Sequence, residues 1–144
     1  MENLAQPAAQ FMFPKLRNGE IFTALNADTR VDMISADDIG AFARAAFENP
    51  VQFQGKNIAL AAESLTMGEV AATLSRVVGK NVVSVTLSPA EAVARGLHPH
   101  VVNSHDHMNE GGFQVNIEAL KRYGIPLTMF EQWAYKHRAR IVID

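Results

Sequence analysis

The chain of 144 residues contains no cysteine. Disulfide staples, thiolate nucleophiles and cysteine-bound zinc are therefore excluded, and packing alone has to hold the core together. Net charge is almost absent too: 13 basic against 15 acidic side chains leave a formal value of -2. Such a balance offers no cationic footprint for a nucleic-acid backbone or an anionic membrane surface. Long apolar runs are missing, since no stretch approaches the ~20 residues that a membrane-spanning helix needs. The opening MENLAQPAAQFMF carries an acid at Glu2 and no basic cluster, so it lacks the form of a secretory signal. A cytoplasmic protein without nucleic-acid or membrane partners is expected. Glycine-rich phosphate motifs are a further absence. Nowhere do the glycines form G-x-G-x-x-G; Gly111-Gly112 is a bare pair, and Gly79-Lys80-Asn81 lacks the rest of a P-loop.

What is present suffices for one domain with a sizeable core. Helix starts are well marked. Ser35-Ala36-Asp37-Asp38, Thr66-Met67-Gly68-Glu69, Ser88-Pro89-Ala90-Glu91 and Thr128-Met129-Phe130-Glu131 each put a hydroxyl three residues before an acid. The hydroxyl can accept from an orphan N–H of the first turn while the carboxylate reaches back to the cap. Asp37 and Asp38 are then expected to serve the helix dipole rather than acid–base chemistry.

Apolar spacing agrees with these starts. Ile39, Phe42, Ala43, Ala46 and Phe47 form one helical stripe ended by Asn49-Pro50. A second runs through Met67, Val70, Ala71, Leu74, Val77 and Val78 to Gly79. Phe130, Trp133, Ala134 and His137 mark a last helix, and a short one is expected from Asn116 to Gly124. Asn18-Gly19 predicts a tight turn ahead of a strand at Ile21–Leu25; Val31–Ile34, Ile58–Ala61 and Val82–Leu87 are the other strand candidates. The alternation specifies an α/β or α+β chain, with a sheet of about four short pieces and helical faces that still need partners.

Residues 97–113, LHPHVVNSHDHMNEGGF, hold four of the five histidines. Three readings fit them. The His98-Pro99-His100 and His105-Asp106-His107 pairs, with Glu110, could ligate zinc in a metal-dependent hydrolase, although the spacing matches no specific zinc signature. Alternatively, a helix over 101–110 gathers Val101, Val102, His105, Met108 and Asn109 on one face, with His107 and Glu110 turned outward. The third reading makes them solvated residues of a polar helix and loop, and no metal site is assigned.

VDMISADDIGAFARAAFENP, followed by GKNIALAAESLTMGEVAATLSRVVGKNV, resembles the C-terminal half of the NmrA-like family, atypical short-chain dehydrogenase relatives that bind NAD(P). The likeness rests on Asp38-Ile39-Gly40, Asn49-Pro50, Gly55-Lys56, Leu65-Thr66 with Glu69, Gly79-Lys80 and the closing LTMFEQWAYKH. The resemblance implies the C-terminal portion of an NAD(P)-binding Rossmann-like fold, spanning 1–144 as a single domain without the dinucleotide-binding half. Met1-Glu2-Asn3-Leu4 resembles the family's F-M-E-N element, which implies that Glu2 and Asn3 face the cofactor.

By the same likeness the C-terminal region covers the cleft above the nicotinamide. It implies His105, Met108 and Phe113 as substrate-lining residues. Full-length relatives bind NADP or NAD and act as reductases of small carbonyl or quinone compounds, or as redox sensors. This chain departs from them: no G-x-x-G-x-x-G occurs, and neither Tyr123 nor Tyr135 is followed four positions on by lysine. Tight cofactor binding and catalysis by the chain alone are therefore not expected, and no catalytic residue is assigned. The missing half, or a second copy in a homodimer, is an expected partner. The alternative is a freestanding binding module that self-associates through an apolar face.

Overall fold

The computed structural model describes residues 1–144 apart from Ala8, Ala9 and Phe113. Strands come in two separate pairs rather than one four-piece sheet. Strand β1 (Glu20–Thr23) runs parallel to β4 (Val83–Thr86), and β2 (Arg30–Met33) runs antiparallel to β3 (Glu63–Thr66). A parallel pair needs a crossover, supplied here by everything between the two strands, including helices α1 (Ala36–Glu48), α2 (Pro50–Phe53) and α3 (Met67–Val78). Beyond β4 come α4 (Pro89–Ala94), α5 (Pro99–Asn109), α6 (Ile117–Leu120) and α7 (Phe130–His137). No helix among the described residues is long and apolar enough to cross a membrane.

Three of the four expected hydroxyls cap their helices, and at Thr66 and Ser88 the acid reaches back as well. Ser35 Oγ accepts from the Asp38 N–H at 3.1 Å. Thr66 and Ser88 each accept from the N–H three residues on, while Glu69 and Glu91 accept from the cap N–H groups at 2.8 and 3.0 Å. The fourth departs by one residue. Met129 caps α7, its N–H held by Gln132 Oε1 at 3.1 Å. Thr128 instead donates its N–H and its hydroxyl to the buried Asp38 carboxylate, both at 2.8 Å. Two charge-assisted bonds to a buried anion outcompete a neutral cap at an exposed helix start. Asp38 thereby ties α1 to the segment that leads into α7.

Helix α3 lays Val70, Ala71, Leu74 and Val77 against Ile21 and Val82 on one side and Phe130, Trp133 and Ala134 of α7 on the other. Leu74 is fully buried there, so Leu74→Ala would cost about 2–5 kcal/mol in transfer energy and cavity. A second cluster joins Phe22 and Leu87 to Ala92 of α4 and to Leu97, Val101 and Val102. The turn at Gly19 has φ +77°, and a Cβ there would sit 2.5 Å from the Asn81 carbonyl oxygen, which only glycine allows.

Two expectations change. Ile58–Ala61 forms no strand, because the backbone paired with β2 is that of residues 63–66. Ile58 and Leu60 alternate for another reason: they pack on a third cluster formed by Phe42, Leu120 and Tyr123. The α1 stripe is also not a core face. Phe42 is buried, whereas Ile39, Ala43 and Phe47 are exposed.

Candidate functional site

Strand β1 ends at Thr23, and the chain swings through 24–29 before returning as β2. Helix α5 lies across this swing and fastens it. Asn109 Oδ1 accepts from the Asn26 N–H at 2.8 Å and from the Thr29 hydroxyl at 2.7 Å, and Asn109 Nδ2 donates to the Ala24 carbonyl at 2.9 Å. One turn earlier, His105 Nδ1 accepts from the Ala24 N–H at 3.1 Å. That nitrogen therefore carries no proton, and the neutral ring holds its hydrogen on Nε2. Burial keeps the His105 pKa below its ordinary value, against a weaker opposing pull from the Asp106 charge.

A cleft of about 680 Å³ opens beneath this clasp. Asn26 and Thr29 form one side, Val31 and Asp32 of β2 another, and Met108, Asn109 and Val115 the third. Asp32 Oδ2 accepts from the Val115 N–H at 2.8 Å and so holds the segment after α5 in place as a wall. Arg30 is spoken for: its guanidinium donates to the Ser64 carbonyl and pairs with Glu69 at 3.1 Å. The volume falls within the ~300–1,000 Å³ usual for small-molecule sites. Its position, outside the carboxyl end of a parallel strand, is where open α/β sheets bind ligands.

The candidate residues fall in separate places. Met108 lines the cleft. His105 does not line it but braces the end of β1 from behind. Phe113 lies outside the described residues. Glu2 does not line the cleft: its Oε1 accepts from the Trp133 indole N–H at 2.9 Å. Burial alone would raise the Glu2 pKa, but hydrogen bonds from the Ala36 backbone and Trp133 outweigh it and hold the carboxyl below its ordinary value. Asn3 borders a second cavity of about 180 Å³, with Arg17 and Arg140 on its rim. Of the remaining histidines in 97–113, His98, His100 and His107 are exposed, with His98 and His100 stacked at 5.2 Å. Among the described residues no three histidine or acidic side chains converge as metal ligands.

A dinucleotide needs an open helix N-terminus beside a strand, where backbone N–H groups can meet the pyrophosphate. The junctions β2–α1, β3–α3 and β4–α4 are the places to look. Each is already closed by its own hydroxyl, and at the latter two the carboxylates of Glu69 and Glu91 stand where a phosphate would. These residues do not fit a pyrophosphate, and no chemical step is derived through one.

The sequence model of the NmrA-like family matches residues 1–123. The chain belongs to the NmrA-like family. Solved structures share its fold. An NADPH-dependent quinone oxidoreductase from Escherichia coli, complexed with NADPH, is 22% identical over 94% of this chain and 50% of that one, with a TM-score of 0.68. Triphenylmethane reductase from Citrobacter sp., complexed with NADP(H), is 19% identical over 86% of this chain and 46% of that one, with a TM-score of 0.61. A mutant NmrA is 20% identical over 81% and 42%, with a TM-score of 0.59. This NmrA-like chain thus spans about half the length of those relatives. It shares an α/β, Rossmann-like architecture with them.

Asn109 and Asp32, which shape the cleft of this NmrA-like chain, were not singled out by motif. The spacing that put Asn109 beside Met108 on the inner face of α5 was the available signal.

Proposed function

We propose that the chain is the substrate-side portion of an NAD(P)H-dependent NmrA-like protein, a reductase or redox sensor for small carbonyl or quinone compounds. In this reading the nicotinamide cofactor is held by a dinucleotide-binding half contributed from elsewhere. The cleft at the carboxyl end of β1 is the observation that carries it. Met108, Val31 and Val115 offer an apolar surface to a flat ring. Asn109 and His105 are positioning residues: their hydrogen bonds fix the end of β1 and the cleft's rim. Relatives solved with NADP(H) support the cofactor class. The capped helix starts support the view that this portion alone does not hold the cofactor's phosphates.

Two titrations of the isolated chain test the reading. NADPH fluorescence is expected to show no saturable binding, whereas 1,4-naphthoquinone is expected to bind. Replacing Met108 by glutamate is expected to weaken the quinone by about tenfold, equivalent to ~1.4 kcal/mol. Saturable micromolar NADPH binding, or quinone binding indifferent to Met108→Glu, would overturn it.

A further inference from the structure

The second cavity, of about 180 Å³, lies at the other end of β1 from the cleft. Arg17 on its rim belongs to a helical turn, Leu16–Asn18, that leads into the strand, whereas Asn26 of the cleft comes after the strand has ended. Much of the lining is apolar: Leu4, Ala5 and Leu16 are buried, Phe13 is half-buried and Val142 is exposed at 48%. The charged groups among the described lining residues are both cations, Arg17 and Arg140. An apolar recess with a few polar groups converging on its edge is the usual form of a small-molecule site.

The rim is built rather than loose. The Asp144 N–H donates to the Arg17 carbonyl at 2.7 Å, and Lys80 Nζ donates to the Ile143 carbonyl at 2.6 Å. Ile141 and Ile143 are buried on either side of Val142, so the last residues of the chain are held as one wall of the cavity. Arg140 is exposed, and its guanidinium makes no ion pair or hydrogen bond among the described residues. Arg17 stands 3.6 Å from Asp144 Oδ1, too long for a hydrogen bond, and both side chains are exposed. That contact is weak, and it leaves the Arg17 donors open to a better-placed carboxylate.

We propose that this cavity binds a small organic carboxylate. Its apolar body sits among Leu4, Leu16 and Phe13, and its carboxylate meets the guanidinium groups of Arg140 and Arg17. Charge selects the anion, because two cations face the recess and the one nearby acid, Asp144, is held only loosely. Planar guanidinium donors match a carboxylate in pairs, which adds direction to the attraction. Size selects the body. The cavity is smaller than the ~300–1,000 Å³ of sites for drug-sized ligands, so it suits a single ring or a short branched chain. A bare inorganic anion would leave the apolar lining unused, and a neutral ring would leave both cations unpaired.

Calorimetric titration of the full chain with benzoate tests this. Saturable binding with a Kd near ~1 mM is expected. Benzamide, which lacks the charge, and acetate, which lacks the ring, should each bind at least ~10-fold more weakly. In a proton–nitrogen correlation spectrum the benzoate-induced shifts should gather at Leu4, Leu16, Arg17 and Val142. Arg140→Gln and Val142→Glu each change an exposed side chain, so Tm should hold while benzoate weakens by ~10-fold or more. Met108→Glu, in the cleft, should leave benzoate binding as it is. No saturable heat up to ~20 mM benzoate would overturn the proposal. So would acetate or benzamide binding as well as benzoate, or an affinity that Arg140→Gln and Val142→Glu both leave intact. Loss of benzoate in Met108→Glu would put the anion in the cleft and overturn it too.

Discussion

The clasp between α5 and the end of β1 can be broken at one side chain. Asn109→Ala removes three hydrogen bonds: those to the Asn26 N–H, the Thr29 hydroxyl and the Ala24 carbonyl. At a net ~1 kcal/mol each the loss would approach ~3 kcal/mol. Asn26 is exposed, so water can recover part of its N–H bond. A loss of ~2–3 kcal/mol is therefore expected in urea unfolding, with m unchanged. For a chain of this size that corresponds to a fall in Tm of roughly 5–10 °C. Thr29→Val provides the internal control. It should cost ~1 kcal/mol in the wild type and much less once Asn109 is alanine, because the two share one bond. A loss below ~0.5 kcal/mol for Asn109→Ala, or a Thr29→Val cost that is the same in both backgrounds, would refute the idea that these bonds fasten the loop.

Acid should loosen the same clasp. The folded His105 pKa lies below its unfolded value because of burial, so the unfolded chain takes up more protons there. This contribution to stability is complete above the unfolded value near 6.5 and declines as pH falls from there through the lowered folded value. His105→Gln, whose amide oxygen can still accept from Ala24, should lack that part of the pH dependence; parallel urea midpoints for both proteins from pH 7 to 5 would refute it. Tyr123 is buried among Phe42 and Phe53, and its hydroxyl has no hydrogen-bond partner among the described residues. Tyr123→Phe is expected to leave stability unchanged or raise it by up to ~1 kcal/mol, and a calorimetric loss of more than ~1 kcal/mol would reveal a bond at that oxygen. Asp38→Ala abolishes both bonds from Thr128 and should cost ~3 kcal/mol in urea unfolding. By contrast Asp37→Ala, which breaks only the exposed pair with Lys136, should leave the urea midpoint almost unchanged.

Local chemistry was the legible part of this fold. The Ser35, Thr66 and Ser88 caps could be read because each depends on groups only three residues apart. The α3 stripe and the inner face of α5 could be read because helical spacing and burial coincide there. What escaped was everything decided by distant partners. Ile58 and Leu60 alternate like a strand, yet the antiparallel mate of β2 begins at Glu63. Thr128 has the spacing of a cap, but a carboxylate ninety positions earlier in the chain claims it. The site followed the same division. Met108, chosen from its helix face, borders the cleft, and His105 braces the end of β1. No local pattern could reveal that its nitrogen meets the Ala24 N–H, a contact across eighty-one positions.

The parallel pairing of β1 with β4 has a consequence for how the protein is made. About sixty residues separate Glu20 from its mate Val83, a closure that costs more entropy than any helix or local turn in the chain. During synthesis β2, α1 and β3 can assemble as they emerge, while Ile21 and Phe22 wait without a mate until residue 86 has been added. Through that interval the most buried strand of the finished protein is its most adhesive segment. The pause before β4 arrives is the window in which a chaperone, or another nascent copy, would find it.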